Sequence, residues 1–225
     1  PEHSISLSRM DGSLVAEYCS SSEKENFRDL APALEFILKA GQKRLEDLRA
    51  IFVAIGPGKF TGLRVGVSFA KGLSYALNIP LLGINSLDAM ANSIPFLGEA
   101  LAVFIESRRD EWFVGLYRKE GELLVSDGPI MVLGKGELKE IRRDGLYVLG
   151  HNYNKLWPIL RDQLGEGVIA LPPWHWNLKG CGLLALGLER LERGERDDPT
   201  LLEPLYLRGP EIRPVSGGIL WDLGK

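Results

Sequence analysis

The sequence predicts an α/β protein built in two lobes, and three observations predict it. Short continuous apolar runs flanked by turn residues, such as Ala50 to Ile55 and Leu81 to Ile84, suit strands buried on both faces. Between them lie stretches with apolar residues at helical spacing, the longest from Thr61 to Leu77. After Gly98 the alternation of strands and helices begins again, so one lobe covers 1–98 and a second 99–199. The tail 200–225 is expected to rejoin the first lobe, and its EPLYLRGPEIRP stretch is too proline-rich for regular structure.

The elements follow in order. Ser4 to Ser8 alternates, Ser13 to Tyr18 is β-prone, and Asp11-Gly12 between them signals a hairpin. Ser20 to Ser22 offer N-caps for a helix in which Phe27, Leu30, Ala31, Leu34, Ile37 and Leu38 recur. Gly41 stops that helix, and Pro32 inside it predicts a kink or a late start. Asn78-Ile79-Pro80 ends the long helix, and Ser86 caps the next, which stops near Pro95. In the second lobe Leu101 to Ile105 and Trp112 to Tyr117 are strands around the turn ESRRDE, with Leu123 to Val125 and Ile130 to Leu133 extending the sheet. Tyr147 to Leu149 and Val168 to Ala170 are short strands, Leu156 to Leu164 and Leu183 to Leu191 helices, and LPPWHWN a loop.

Composition removes several function classes. Hydrophobic residues make up 45% and charged residues 25% of the 225, as in ordinary globular proteins. A net charge of −3 gives no global basic field for nucleic acid, and the pairs Arg108–Arg109 and Arg142–Arg143 are isolated. No apolar run approaches the ~20 residues of a membrane span and no signal peptide is visible, so a cytoplasmic protein is expected. Cys19 and Cys181 read as two reduced thiols. His3, His151 and His175 are scattered without an HExxH pair, so no metal site is expected, and no G-x-S-x-G elbow appears. Trp174-His175-Trp176 could stack bases, but with prolines ahead of it a packed loop is the favoured reading.

The stretch GPGKFTGLR has the layout of an anion site, a strand followed by a Gly-rich turn and a helix N-terminus. It fits neither GxxxxGK[ST] nor GxGxxG, because Lys59 precedes Thr61 and Gly62 and position 61 is Thr. Gly56, Gly58, Lys59 and Thr61 are therefore a candidate nucleotide loop or a turn without ligand. Along the helix behind it, Arg64, Ser68, Lys71 and Tyr75 fall within a ~60° stripe, leaving an apolar or small arc of ~220°. So wide an arc predicts a helix covered on two sides. Gly62, Gly66, Ala70 and Ser74 form a small-residue seam that either meets another helix of the chain or, with Phe69, Leu73, Leu30 and Leu34, docks a partner protein.

GPGKFTGLRVGVSFAKGLSYALNIPLLGINSLDAM resembles the signature of the TsaB (YeaZ) family, G-P-G-S-F-T-G-L-R-I-G, then A-K-G-L-A and I-P-L-x-G-V-S-S-L. IESRRDEWFVGLY resembles that family's D-A-R-R-x-E-V-Y block through Arg108, Arg109 and Glu111, and EPLYLR its P-x-Y-L-R ending through Pro204, Tyr206, Leu207 and Arg208. The resemblance implies an actin-like ATPase (ASKHA) fold of two ribonuclease-H-like lobes with mixed sheets. It implies a non-catalytic subunit required for N6-threonylcarbamoyladenosine formation at tRNA position 37. That subunit pairs with a catalytic TsaD-like paralogue and is joined by a TsaE-like ATPase, with tRNA reached through the complex. No cofactor is required of this chain, while weak or shared ATP or ADP binding and a homodimer stay open. The alternatives are a self-contained nucleotide-dependent enzyme of the same fold and, more remotely, a metallo-glycoprotease. Two departures stand out. Relatives open with a strand like I-L-A-I-D-T-S that is not found ahead of Ser4, which leaves the first sheet short of a buried strand, and Asn26, Phe27 and Arg28 stand where relatives carry H-S-E.

Overall fold

In a computed structural model, residues 2–21, 30–94, 98, 100–121 and 123–207 are described. Ser22, Asn26, Phe27, Arg28, Pro95, Arg208 and the rest of the tail lie outside them.

The chain opens with an antiparallel hairpin of β1 (Glu2–Ser8) and β2 (Leu14–Ser21), turned where Gly12 takes a φ of +82°. Ser20 and Ser21 belong to β2. Helix α1 is described over Leu30–Ala40, with Pro32 near the start of that span. It sets Ile37 and Leu38 against Leu7 of the hairpin.

The next element is a βαβ unit of β3 (Ile51–Gly56), α2 (Phe60–Leu77) and β4 (Leu81–Asn85), with the strands parallel in register from Ile51↔Leu81. Asn78 ends α2 in the left-handed conformation at φ +52°. The two strands are covered on both faces. Val53 and Leu81 meet Val67 and Ala70 of α2, while Phe52, Leu82 and Ile84 meet Leu183, Leu186 and Leu191 around helix α5 (Leu184–Glu192). A Cβ at Gly187 would lie 2.5 Å from the Phe52 ring, so this contact requires glycine. The short helix α3 (Ser86–Ala91) is capped by the Asn85 carboxamide, which accepts from the N–H groups of Leu87 and Asp88, and not by Ser86.

The second lobe is one six-stranded mixed sheet, ordered β10 (Ile169–Ala170), β9 (Tyr147–Gly150), β5 (Ala100–Arg108), β6 (Glu111–Glu120), β7 (Leu123–Ser126), with β8 (Met131–Gly134) beside β6. β5 and β6 run further than their apolar residues suggest, and the turn shrinks to Arg109-Asp110, with Asp110 at φ +60°. Helix α4 (Tyr153–Leu164) begins three residues before its first apolar ridge residue because the Asn152 side chain accepts from Lys155 N–H. Its Leu156, Leu160 and Leu164 close one core with Phe104, Trp112, Val114 and Trp176. The lobes are fastened at α3. Tyr117 Oη donates to Asp88 Oδ1 at 2.7 Å, and Asn92 exchanges hydrogen bonds with both backbone groups of Leu124.

Candidate functional site

The glycine loop sits at the C-terminal end of β3. Gly56 holds a φ of +118°, and a Cβ there would lie 3.0 Å from Leu205 O, so glycine is needed at this position. At Gly58 a Cβ would meet Leu63 no closer than 3.7 Å, an ordinary contact. Lys59 stands at the N-cap without a side-chain cap bond and is exposed, as is Thr61. Gly58 and Lys59 open onto a cleft that also reaches Glu106, His151 and Asn152 of the second lobe. The Glu106 carboxylate is paired with the Lys155 ammonium of α4. Burial holds the His151 imidazole far down, at about 4, with the Lys59 charge adding to the effect and Glu106 opposing it, and His151 Nε2 has no partner.

That cleft, of about 990 Å³, runs the length of the first lobe. Its walls are β1 from His3 and β3 from Ile51 to Ala54, and its other sides come from α1, α2 and the segment from Leu178 to Leu188. Of the candidate docking residues, Gly62, Gly66, Phe69, Ala70 and Leu73 of α2 and Leu30 and Leu34 of α1 line it together. Ser74 is turned into the protein, its hydroxyl donating to Ile79 O at 2.7 Å. Ala70 is also buried, packed on Val53 and Leu81. The seam is thus split. Its C-terminal half belongs to the core and its N-terminal half opens into the cleft, where a Cβ on Gly66 would meet nothing within 4 Å. The apolar excess of α2 arises here, since one arc packs on β3 and the next faces the cleft. The outward faces carry Phe36 at 60% exposure and Tyr75 at 85%.

Several contacts escaped the sequence reading. Arg64 lies 4.0 Å from the Phe60 ring centroid and donates to Tyr206 Oη at 3.0 Å. Lys71 Nζ donates to Leu202 O at 3.1 Å, and Asp197 accepts from Gly83 N–H at 2.7 Å and pairs with Arg190. Together they strap residues 197–206 across α2 and β4. The ordered P-x-Y-L-R block was the signal for Tyr206; Asp197 had none. On the hairpin, Ser4 Oγ accepts from Gly180 N–H, and Glu17 accepts from Ser6 Oγ and Cys181 N–H. Burial alone would raise the Glu17 carboxyl, but these bonds hold it below its ordinary range. Both cysteines are free thiols. The Trp pair is divided: Trp176 is buried with Nε1 donating to Leu171 O, and Trp174 is exposed. Among the described residues no cluster of metal-ligating side chains forms, and no helix is long and apolar enough to cross a membrane.

The family described as TsaD, tRNA N6-adenosine threonylcarbamoyltransferase, matches residues 20–131. The Bacillus subtilis (strain 168) tRNA threonylcarbamoyladenosine biosynthesis protein TsaB is 34% identical over 209 residues, covering 91% of this chain and 88% of its own length. The Escherichia coli K12 protein of that name is 25% identical, covering 88% of this chain and 87% of its own. A crystal structure titled as an uncharacterized protein with similarity to peptidase YeaZ, from Pseudomonas aeruginosa, superposes with a TM-score of 0.76 at 23% identity, covering 92% of this chain and 94% of that one. A second, titled YeaZ from the same organism, gives 0.75 at 22%, again covering 92% and 94%. The fold is therefore the two-lobed one of those structures.

Proposed function

We propose that this chain, which belongs to the TsaB (YeaZ) family, serves in tRNA threonylcarbamoyladenosine biosynthesis as the non-catalytic scaffold that docks a TsaD-like catalytic subunit. The observation that carries the reading is the 34% identity to the Bacillus subtilis TsaB protein over 91% of the chain. Two features of the site support it. The Glu106 carboxylate, which lines the cleft together with Gly58 and Lys59, is paired with Lys155, which leaves it poorly suited to hold a metal ion for phosphoryl transfer. The first lobe presents large apolar side chains, Phe36 on α1 and Tyr75 on α2, outward on the two helices whose opposite faces hold Leu30, Leu34, Gly62, Gly66, Phe69 and Leu73. Aromatic anchors of this kind dominate interface energetics. The catalytic chemistry then belongs to the TsaD-like partner, with a TsaE-like ATPase joining the pair and tRNA bound by the assembly.

Light scattering after size-exclusion chromatography, on a mixture with the TsaD-like protein of the same organism, tests this. A 1:1 complex is expected, weakened at least tenfold by the pair Phe36→Glu and Tyr75→Glu while circular dichroism stays unchanged. A folded monomer that forms no complex overturns the reading. So does ATP turnover by the isolated chain, which would favour a self-contained nucleotide-dependent enzyme using the Gly56–Thr61 loop.

A further inference from the structure

The geometry points to a binding site for a small oxyanion, inorganic phosphate or the phosphate end of a larger molecule, where the starts of α2 and α4 adjoin in the cleft. The site binds without turnover and is independent of the docking reading.

The first N–H groups of an α-helix have no partner within it, and the helix dipole leaves that end positive. α2 is 18 residues long and starts after Lys59, whose side chain makes no cap bond. α4 is 12 residues long and starts after Asn152, whose carboxamide oxygen accepts from Lys155 N–H in the first turn. Gly58 and Lys59 line the cleft on the α2 side, and Asn152, Tyr153 and Asn154 on the α4 side. The two starts are near each other, because the Lys59 charge acts on His151, which directly precedes Asn152. Two bonds hold the α4 start in place, His151 N–H to Phe104 O at 3.2 Å and Asn152 N–H to Asn177 Oδ1 at 2.9 Å. Two helix N-termini thus turn their donors to one space before any ligand arrives.

His151 singles this place out. It lines the cleft, and its Nε2 is buried without a hydrogen-bond partner. A buried polar nitrogen left in that state costs free energy that a ligand oxygen would recover. The acid that acts on His151 is Glu106 of β5, and Lys155 of α4 engages its carboxylate. Lys179, from the segment beside Asn177, is turned to Trp174 O. The Lys59 side chain is exposed and free to reach a ligand. Donors converging from two helix starts, a lysine and an imidazole suit the four oxygens of a tetrahedral oxyanion better than the two of a carboxylate. Held from both sides, the anion becomes a further fastening between the lobes, besides the bond from Tyr117 to Asp88.

Calorimetric titration of the 225-residue chain with sodium phosphate and with sodium sulfate tests it. Both should bind with a dissociation constant of ~1 mM or tighter, and no binding by either at ~20 mM overturns the proposal. Lys59→Gln, at a side chain without a cap bond, should weaken binding ~tenfold or more. Lys39→Gln, the same loss of charge in the last turn of α1, should leave it unchanged, and equal effects of the two overturn the site. Sulfate keeps its charge across the histidine range, so NMR of the unaltered chain reads His151 directly. Saturating sulfate should lift its titration midpoint from about 4 to ~5 or above, because the anion favours the charged imidazole; an unmoved midpoint overturns the proposal. ATP in place of phosphate separates the two sources. Binding ~tenfold tighter, lost in Lys59→Gln, identifies the phosphate end of a larger molecule, whereas equal or weaker binding identifies the free ion, and the site stands in both.

Discussion

The two lobes hold similar apolar runs and arrange them to opposite effect. In the second, a continuous ladder through β9, β5 and β6 gathers its side chains into one core that includes Phe104, Tyr117, Leu149 and Trp176. In the first, the strands fall into two separate pairs and the apolar side chains divide into three clusters around a cleft. Continuity of the sheet, more than apolar content, decides whether a core is single. A central strand brings both its faces to every helix above and below, whereas two paired edges leave each helix with half a floor.

The largest expected effect tests the stronger half. Phe104→Ala, on the central strand and fully buried, should cost ~3–5 kcal/mol in urea denaturation. Ile37→Ala, at a buried position that lines the cleft, should fall at or below the ~2 kcal/mol low end, since neighbours can collapse into free space. Equal losses would break the contrast. Next comes the strap that ties the tail to the weaker lobe. Asp197→Ala takes the acceptor from Gly83 N–H, while Arg190 keeps Glu195 and Gly83 O, and should cost ~1–3 kcal/mol by the same measurement.

A pH series sharpens the comparison where the lobes meet. His151 titrates at about 4 when folded, against an ordinary 6.5. Between those values the unfolded chain binds a proton that the native chain refuses, so stability falls as pH drops through that window. His151→Gln should flatten this part of the stability curve; an unchanged slope would assign it to other groups. The smallest effect is on the hairpin side. Burial, with help from Glu17, pushes the Cys181 thiol up to about 11, so iodoacetamide should modify it slowly at pH 8. Glu17→Gln should speed that reaction, and no change would mean burial alone protects the thiol.

Much of this fold was legible in the sequence because local signals agreed. The run Ala50–Ile55, the helix spacing and the Asn78-Ile79-Pro80 stop all pointed to β3-α2-β4. Errors arose where two residues offered the same chemistry. Asn85 and Ser86 are both good caps, and only the backbone angle at Asn85 selects it. The extra length of β5 and β6 was hidden because Glu106, Ser107 and Arg108 are polar residues of a ribbon that projects past the core. In α2 the wide apolar arc was visible, but what it faces was not. Ala70 and Ser74 turn inward, Gly62 and Gly66 open to the cleft, and the difference depends on where β3 lies beneath the helix. The strap was half legible, through Tyr206 but not through Asp197, whose bond to Gly83 spans 114 positions.

The two-residue turn at Arg109-Asp110 also sets an order of events. β5 and β6 meet by closing a two-residue loop, as short as that between β6 and β7, whereas β9 pairs with β5 across the whole intervening length of β6, β7 and β8. Hairpins form in about 1–10 μs, so this ribbon is the natural nucleus on which the remaining strands assemble. Asp110 holds a φ of +60°, a conformation that a β-branched residue resists. Asp110→Val should therefore slow the approach to the native state while leaving the rate of escape from it nearly unchanged.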